Sequence, residues 1–474
     1  MNDPSCLPPS ASASPGASTR VDISSGLRFG HDVMSMCPEC LTSIPGRVSS
    51  SPAGVVMRKT CPEHGAFESL IATDIASYER MRRSPRFVKR PARVSMPEAK
   101  GCPDDCGLCP AHDQHTCLAI VEITQRCNLP CPVCLADAKA KGAELSREQV
   151  LGALRSLLDT EGQPVPLQFA GGEPTVHPDL VEIIRGAHGL GFTKMEIDTN
   201  GLVLARNPGL AIDLRAAGLT GVYLQFDGLE AGESEFIRGR DLRAEKLQAI
   251  EHCLRAGLQV VLAVTVVPGV NDQALWPLIR FAAEKRLTGI NFQSVVLSGR
   301  YPGELLQSHR RFTATHFLHA VEQQSEGQLR ARDLLPMSCP DPRCGLLAYV
   351  IIDKDGQLLP LSRLVGDERL RQHVADFSDW DTLLRQLGCD SAGCGCGDGG
   401  GDARQRLAEA LEGADFFAVG FHGMMDAHCF DQERARRCCV HKLTADGKLM
   451  PFCLYNIKYR RQDRGVERCA GTTP

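Results

Sequence analysis

The segment Thr124-Gln-Arg-Cys127-Asn-Leu-Pro-Cys131-Pro-Val-Cys134 sets three thiols at the spacing C-x3-C-x2-C. Three thiolates this close along a chain can hold three irons of a [4Fe–4S] cube and leave the fourth iron without a protein ligand. An iron left open is a catalytic position, because the amine and carboxylate of a small molecule can chelate it. The same spacing also suits a zinc knuckle completed by a remote fourth ligand. Further on, a second apolar run ends in Phe169-Ala-Gly171-Gly172-Glu173-Pro174. The two glycines let the backbone approach a ligand closely, and Glu173 can accept hydrogen bonds from an amino group.

Other cysteines repeat the theme. Cys102, Cys106 and Cys109 form a second C-x3-C-x2-C, followed by His112, His115 and Cys117, one of which can complete a ligand set. An auxiliary [4Fe–4S] cluster is the expectation there, with zinc as the alternative. Cys37 and Cys40, then Cys61 and His64, make two ligand pairs suited to a mononuclear tetrahedral zinc or iron. Near the other end, Cys438-Cys439-Val-His441 and Pro451-Phe-Cys453 can join Cys339 and Cys344 around another cluster, Cys439 and Cys453 being the expected ligands. Cys6 and Cys469 stand alone and read as unligated, and the Gly-rich patch with Cys389, Cys394 and Cys396 reads equally as linker or ligand set.

Twenty-two cysteines in 474 residues are too sparse for a disulfide miniprotein, and a chain of this length needs no such staples. The N-terminus lacks a charged stretch followed by an apolar one, so a reducing cytoplasm and metal ligation are expected. Net charge is −4, which offers no basic field for nucleic acid. The longest apolar run, near Val260 to Val270, falls far short of the ~20 residues of a membrane helix.

From Leu118 to about residue 300, strands expected at 118–124, 165–170, 194–198, 221–226, 259–267 and 289–296 alternate with helices near 146–159, 178–189, 207–217, 241–256 and 273–286. In the fourth helix Leu247, Ile250, Leu254 and Leu258 are taken as one apolar face, with Cys253 on it as a core residue. Six such units predict an α/β fold with a parallel sheet, an open partial barrel whose chemistry gathers at the C-terminal strand ends. Asn200, Asp227, Asn271, Asp272 and Gln293 stand at such positions, where each can equally cap a following helix. Around this core lie a disordered tail (1–30), a mononuclear metal knuckle (31–75), a linker with the auxiliary motif (76–117) and a cysteine-rich C-terminal module (301–474). The linker's basic stretch from Arg80 to Arg93 reads as a solvated or cluster-screening segment, with an anion or lipid-headgroup site as the alternative. Asp353-Lys-Asp-Gly and Ala445-Asp-Gly are expected to turn two similar hairpins beside cysteines.

Together these motifs resemble the radical S-adenosylmethionine (SAM) superfamily, including its GGEP element; Val133 stands where an aromatic residue is common. The order CPEC, CPEHG, GCPxDCGLC, TxRCNLxCPxC, GGEPT, RGRD, FQ, SGR, CCVH and PFCxYN is similar to one branch over roughly residues 31–460. That branch contains the pterin dimethyltransferases and the tetraether lipid synthases. The resemblance implies a partial (β/α)6 radical SAM barrel with SAM on the open iron, cleaved reductively to a 5′-deoxyadenosyl radical. It implies that Gly171, Gly172, Glu173, Pro174, Asn200, Asp227 and Gln293 touch SAM or substrate. One or two auxiliary [4Fe–4S] clusters and a reducing partner such as flavodoxin or ferredoxin follow from it. So does methylation of an unactivated carbon in a pterin-like or other small molecule, with a folate-type methyl donor. The lipid branch implies instead the joining of two acyl chains carbon to carbon. A non-catalytic iron–sulfur electron carrier is the reading of another class, and it has no use for GGEP beside an open cluster.

Overall fold

The computed structural model describes residues 29–303, 305, 311–365 and 415–460. Most of the expected tail, together with Cys6, Cys389, Cys394, Cys396 and Cys469, lies outside the described residues.

The described chain opens with an antiparallel sheet of β1 (Gly30–Met36), β2 (Ser43–Ser51), β3 (Gly54–Cys61) and β4 (Gly65–Ala72), in that order. Both of its Cys-Pro turns fall between paired strands, so the two halves of the knuckle meet at one end. Helix α1 (Ile75–Arg82) follows, its first turn capped by Asp74 Oδ1, which accepts from Ser77 N at 2.7 Å.

The alternating region then runs β5 (Leu118–Thr124), α2 (Arg147–Glu161), β6 (Leu167–Gly171), α3 (Leu180–Gly189) and β7 (Met195–Thr199). It continues through α4 (Leu202–Arg206), α5 (Pro208–Ala217), β8 (Gly221–Gln225), α6 (Ala231–Arg238), α7 (Arg243–Arg255), β9 (Gln259–Val266), α8 (Leu275–Glu284) and β10 (Gly289–Ser294). The six strands pair side by side and parallel, as a partial barrel requires. Their spacing obeys period two. Leu167 and Phe169, Met195 and Ile197, Val222 and Leu224, Ile290 and Phe292 are buried in one hydrophobic core, and the residues between them occupy the other face. Helix α2 begins in a capping box, Gln149 N donating to Ser146 Oγ at 3.2 Å and Ser146 N to Gln149 Oε1 at 2.8 Å.

The C-terminal part is woven into this sheet. After α9 (Ala314–Gln324) come β11 (Leu335–Pro336), β12 (Gly345–Ile352), β13 (Leu358–Pro360), β14 (Asp415–His422), β15 (Val440–Leu443) and β16 (Leu449–Pro451). Strand β14 pairs parallel with β10 and β15 pairs parallel with β5, so both open edges of the six-stranded unit are extended. The result, among the described residues, is one twelve-stranded sheet whose two ends share no ladder. Both expected Asp-Gly hairpins form, β12–β13 at one edge and β15–β16 at the other, turning through Gly356 and Gly447 at φ 77° and 81°.

Two expectations need correction. In α7 the buried stripe is Lys246, Ala249, Ile250 and Cys253, while Leu247 and Leu254 are exposed. The stripe includes a lysine because Lys246 Nζ donates to Asn200 O at 2.6 Å, so hydrophobicity alone misplaced the face. Helices α4 and α6 were not anticipated, being short and placed directly after the strand-end motifs. The basic linker stretch is largely exposed, with Arg82 and Arg83 paired to Glu79, Arg86 to Asp341 and Glu433, and Arg90 to Asp113. Among the described residues, no helix is long and apolar enough to cross a membrane.

Candidate active site and metal centres

Cys127, Cys131 and Cys134 occupy the loop after β5 and pack against Leu129, Leu202 and Leu242, none of which offers a ligand. Burial pushes the Cys127 thiol up to about 12 and raises Cys131, the latter opposed by the Arg238 guanidinium. The polar groups that reach these sulfurs are donors: Asn200 Nδ2 lies 3.9 Å from Cys127 Sγ. A single tetrahedral ion with metal–sulfur bonds of ~2.3 Å draws its thiolates to within ~4 Å of one another. Among the described residues, the Cys37/Cys40/Cys61/His64 and His115/Cys117/Cys339 sets converge to within 4.8 Å, and the two C-x3-C-x2-C triplets are not among such sets. Wider-set thiols from one short loop fit a several-iron cluster rather than one ion.

The loop is held by its surroundings. Gly172 N donates to Thr124 O and Glu173 N to Arg126 O, each at 2.8 Å. A Cβ on Gly171 would meet Thr124 O at 2.1 Å, and one on Gly172 would meet Arg126 O at 2.1 Å. The close approach that demands two glycines is therefore made to the cysteine loop itself. On its other side Arg300 spans the loop, donating from Nε to Cys131 O at 2.7 Å and from its two terminal nitrogens to Asp137 and Ala138 O at 3.1 Å. Its backbone pairs with Cys134 in both directions, at 2.8 and 2.9 Å. The sequence carried Arg300 only as part of the SGR motif.

Two expected contact residues are engaged by the protein. Glu173, 1% exposed, accepts from Thr175 N, Thr175 Oγ1, Thr199 Oγ1 and Asn200 N, which ties the end of β6 to the end of β7. Asp227 accepts two bonds from Arg238, at 2.6 and 2.9 Å, and one from Thr265 N at 2.9 Å. Pro174 starts a 3-10 turn after the two glycines. Asn200 donates to Asn128 Oδ1 at 2.7 Å and so leans on the cysteine loop. Asn271 donates to Asp227 O at 2.7 Å, and Asp272 caps a turn at Gly269 N, 2.9 Å.

On the face of the sheet opposite the hydrophobic core, Gln168, Glu196, Asp198, Tyr223, Gln225, Asn291, Gln293 and His422 stand as polar groups of β6, β7, β8, β10 and β14, set among apolar residues such as Ile120, Ala170, Val261 and Ala263. Gln168 donates to Glu196 at 2.7 Å; Asn291 and Gln293 both donate to Tyr223 OH across β9. Burial pushes the carboxyls of Glu196 and Asp198 up to about 7, with the Glu173 charge adding to the second, and holds His422 down to about 4. Gln225 Oε1 is buried without a hydrogen-bond partner among the described residues. Of these, Gln168, Glu196, Tyr223 and His422 were missed, and an isolated charged residue inside a strand is the signal that could have found Glu196.

The remaining cysteines sort differently from expectation. Cys102, Cys106 and Cys109 line a cavity with His112, Arg436 and Leu454. His112 Nε2 lies 3.1 Å from His441 Nε2 and 2.8 Å from Cys438 O. The expected C-terminal quartet divides. Cys344 lies near Cys438 and Cys453 and adds to the upward push that burial gives both thiols. Cys339 is instead in contact with Cys117, and Cys439 packs against both. Cys339 is carried away because it precedes the turn at Asp341, whose carboxylate is pinned by Arg343 at 2.7 Å. In the knuckle, Cys61 Sγ lies 3.5 Å from His64 Nδ1 and 3.9 Å from Cys40 Sγ; the His64 contact lowers Cys61 to about 6.

The sequence signature of the Radical SAM superfamily matches residues 121–282, and that of the HMPTM N-terminal zinc ribbon domain matches residues 29–73. The 7,8-dihydro-6-hydroxymethylpterin dimethyltransferase of Methanocaldococcus jannaschii is 32% identical, covering 90% of this chain and 94% of its own length. A probable GTP 3',8-cyclase of Methanothermobacter marburgensis is 31% identical over 37% of this chain and 57% of its own. Among solved structures, Streptococcus suis SuiB bound to S-adenosylmethionine superposes with a TM-score of 0.35 and 14% identity, over 45% of this chain and 49% of that one.

Proposed function

The chain belongs to the radical SAM superfamily, in the family of the M. jannaschii pterin enzyme, and from that premise we propose that it methylates carbon in a small polar heterocycle of the pterin type. The [4Fe–4S] cluster and SAM that the superfamily uses supply, when bound, one-electron cleavage of a carbon–sulfur bond and the power to break an unactivated C–H bond. Cys127, Cys131 and Cys134 would hold the cluster, and Arg300 with the Gly171–Gly172 contact would keep their loop in one conformation. Glu173 and the Asp227–Arg238 pair act as braces that fix the strand ends around the site. Gly171, Gly172, Pro174, Asn200 and Gln293 are the groups best placed to meet SAM or substrate.

The observation that carries the substrate class is the row of buried polar side chains on β7, β8 and β10, among them the unpartnered Gln225 Oε1. An acyl chain there would leave Gln225 Oε1 without a partner, and such an uncompensated buried polar group costs about 1–3 kcal/mol. A heterocycle with ring N–H groups and carbonyls can instead donate to Gln225 Oε1 and to the carboxyls of Glu196 and Asp198. Near neutral pH these carboxyls can accept a ring N–H or donate a proton to a ring nitrogen. For the electron and the added carbon we propose a flavodoxin or ferredoxin and a folate-type donor.

The test is anaerobic incubation of cluster-loaded protein with SAM, dithionite and either 6-hydroxymethyl-7,8-dihydropterin or a phospholipid. Expected are 5′-deoxyadenosine and a pterin heavier by one or two methyl groups once a methylene-bearing folate is added. Deoxyadenosine with coupled acyl chains and unaltered pterin would overturn the substrate class. No SAM cleavage at all would overturn the catalytic assignment.

A further inference from the structure

Building on the pterin-type reading of the site, on which this inference rests, we propose that Asp198 reads one edge of the substrate ring. Its two carboxylate oxygens accept from a ring N–H and from the exocyclic amino group beside it, which makes the protein selective for 2-amino over 2-oxo rings.

Strand β7 places the residue. Met195 and Ile197 lie in the hydrophobic core, so Glu196 and Asp198 share the opposite face. Asp198 comes two residues before Asn200, whose side chain donates to Asn128 of the cysteine loop. At a rise of ~3.3 Å per residue its backbone stands ~7 Å below that of Asn200, a depth at which a ring lies under the cysteine loop.

The neighbouring polar groups have partners in the chain, and Asp198 does not. Glu173 and Asp227 brace the strand ends, and Glu196 accepts from Gln168 at 2.7 Å. Tyr223, opposite Asp198 in the β7–β8 register, accepts from Asn291 and Gln293 through its hydroxyl. Among the described residues Asp198 accepts no hydrogen bond, and its side chain is half-buried. Burial and the Glu173 charge push its carboxyl up to about 7, and a donor pair brought by a ligand supplies what the chain withholds. Two residues beyond Tyr223 on the same face, Gln225 Oε1 is a second acceptor without a partner. Strand spacing and rise set Gln225 ~8 Å from Asp198 along the backbone grid, a separation that a fused two-ring molecule can bridge.

Two oxygens on one carboxylate match two parallel N–H donors, as in a carboxylate–guanidinium pair. A 2-amino-4-oxo ring presents that pair at its N3–H and its 2-amino group. The 2-oxo analogue puts a carbonyl in place of one donor, so one carboxylate oxygen meets another acceptor. Asparagine at the same position offers one acceptor and one donor, which suits the 2-oxo ring instead.

Full-length, cluster-loaded protein with SAM is titrated anaerobically with 6-hydroxymethyl-7,8-dihydropterin and with its 2-oxo counterpart. Ring fluorescence reports binding and 5′-deoxyadenosine reports turnover. The unaltered protein is expected to bind the 2-amino ring about 10–100-fold more tightly. Asp198→Asn should shrink that ratio by about tenfold or more, weakening the 2-amino ring and strengthening the 2-oxo ring, whereas Glu196→Gln leaves it unchanged. A ratio unmoved by Asp198→Asn, or moved by Glu196→Gln in its place, refutes the role of Asp198 and leaves the pterin reading standing. Should Asp198→Asn fail to load its cluster, the unaltered protein decides, since equal binding of the two rings is also a refutation. Binding of neither ring sinks the substrate class, and the role of Asp198 with it.

Discussion

Arg300 makes three separate contacts with the loop that carries Cys127, Cys131 and Cys134, and a lysine could replace only one of them. Arg300→Lys is expected to cost about 1–2 kcal/mol and to speed iron release to a chelator while leaving the overall fold intact. Denaturant titration and absorbance loss check the two parts. A retained iron-release rate would show that the loop holds itself. In the lumen, Asp198 has a folded pKa raised to about 7 against an ordinary 3.8. Its neutral form thus favours the fold fully below about pH 4, and that contribution is lost as pH rises through 7. Asp198→Asn is therefore predicted to stabilise the protein at pH 8 relative to pH 5, by at most ~3 kcal/mol. Thermal melts at the two pH values test it, and an equal effect at both would remove Asp198 as the titrating group.

The ends of the strands depend on ion pairs that reach into the next helix. Asp227, at the end of β8, and Arg238, in the last turn of α6, have side chains 2% and 8% exposed. Removing one partner leaves a buried charge, so Asp227→Asn and Arg238→Met should each cost about 3–5 kcal/mol. The double variant should cost clearly less than their sum, as a double-mutant cycle would measure. Additive losses would mean that the two side chains act independently. A second pair anchors the segment after β14. Asp426 accepts from Arg311 at 2.8 and 3.1 Å and from Leu297 N at 2.9 Å. Burial opposes its charge, but Arg311 prevails and lowers its carboxyl to about 2. A depressed carboxylate contributes stability above its ordinary pKa of 3.8 and loses it as pH falls toward 2. A loss of ~2 kcal/mol is expected across that window, absent in Asp426→Asn, which acid titration of the two proteins compares.

At the scale of the whole molecule, the N-terminal sheet docks on this same segment: Lys59 Nζ donates to Ala427 O and Ser35 Oγ to Phe430 O, both at 2.6 Å. These bonds join the N-terminal sheet to the segment that follows β14. Much of this was legible in the chain. Period-two apolar runs fixed where β5 to β10 lie, because a strand with one buried face must alternate. C-x3-C-x2-C and GGEP marked the site because ligand spacing and glycine backbone freedom are local properties, fixed by adjacent residues. What remained hidden was every relation between distant segments. No pattern in Asp415–His422 or Val440–Leu443 says that these strands extend opposite edges of one sheet, or that Cys339 leaves its neighbour Cys344 to meet Cys117. Edge pairing is chosen by backbone ladders and core fit among many near-equivalent partners, and thiol partnership follows from where those ladders set the cysteines. Composition and spacing thus determined which residues could bind metal, while only the tertiary structure decided which of them share a centre.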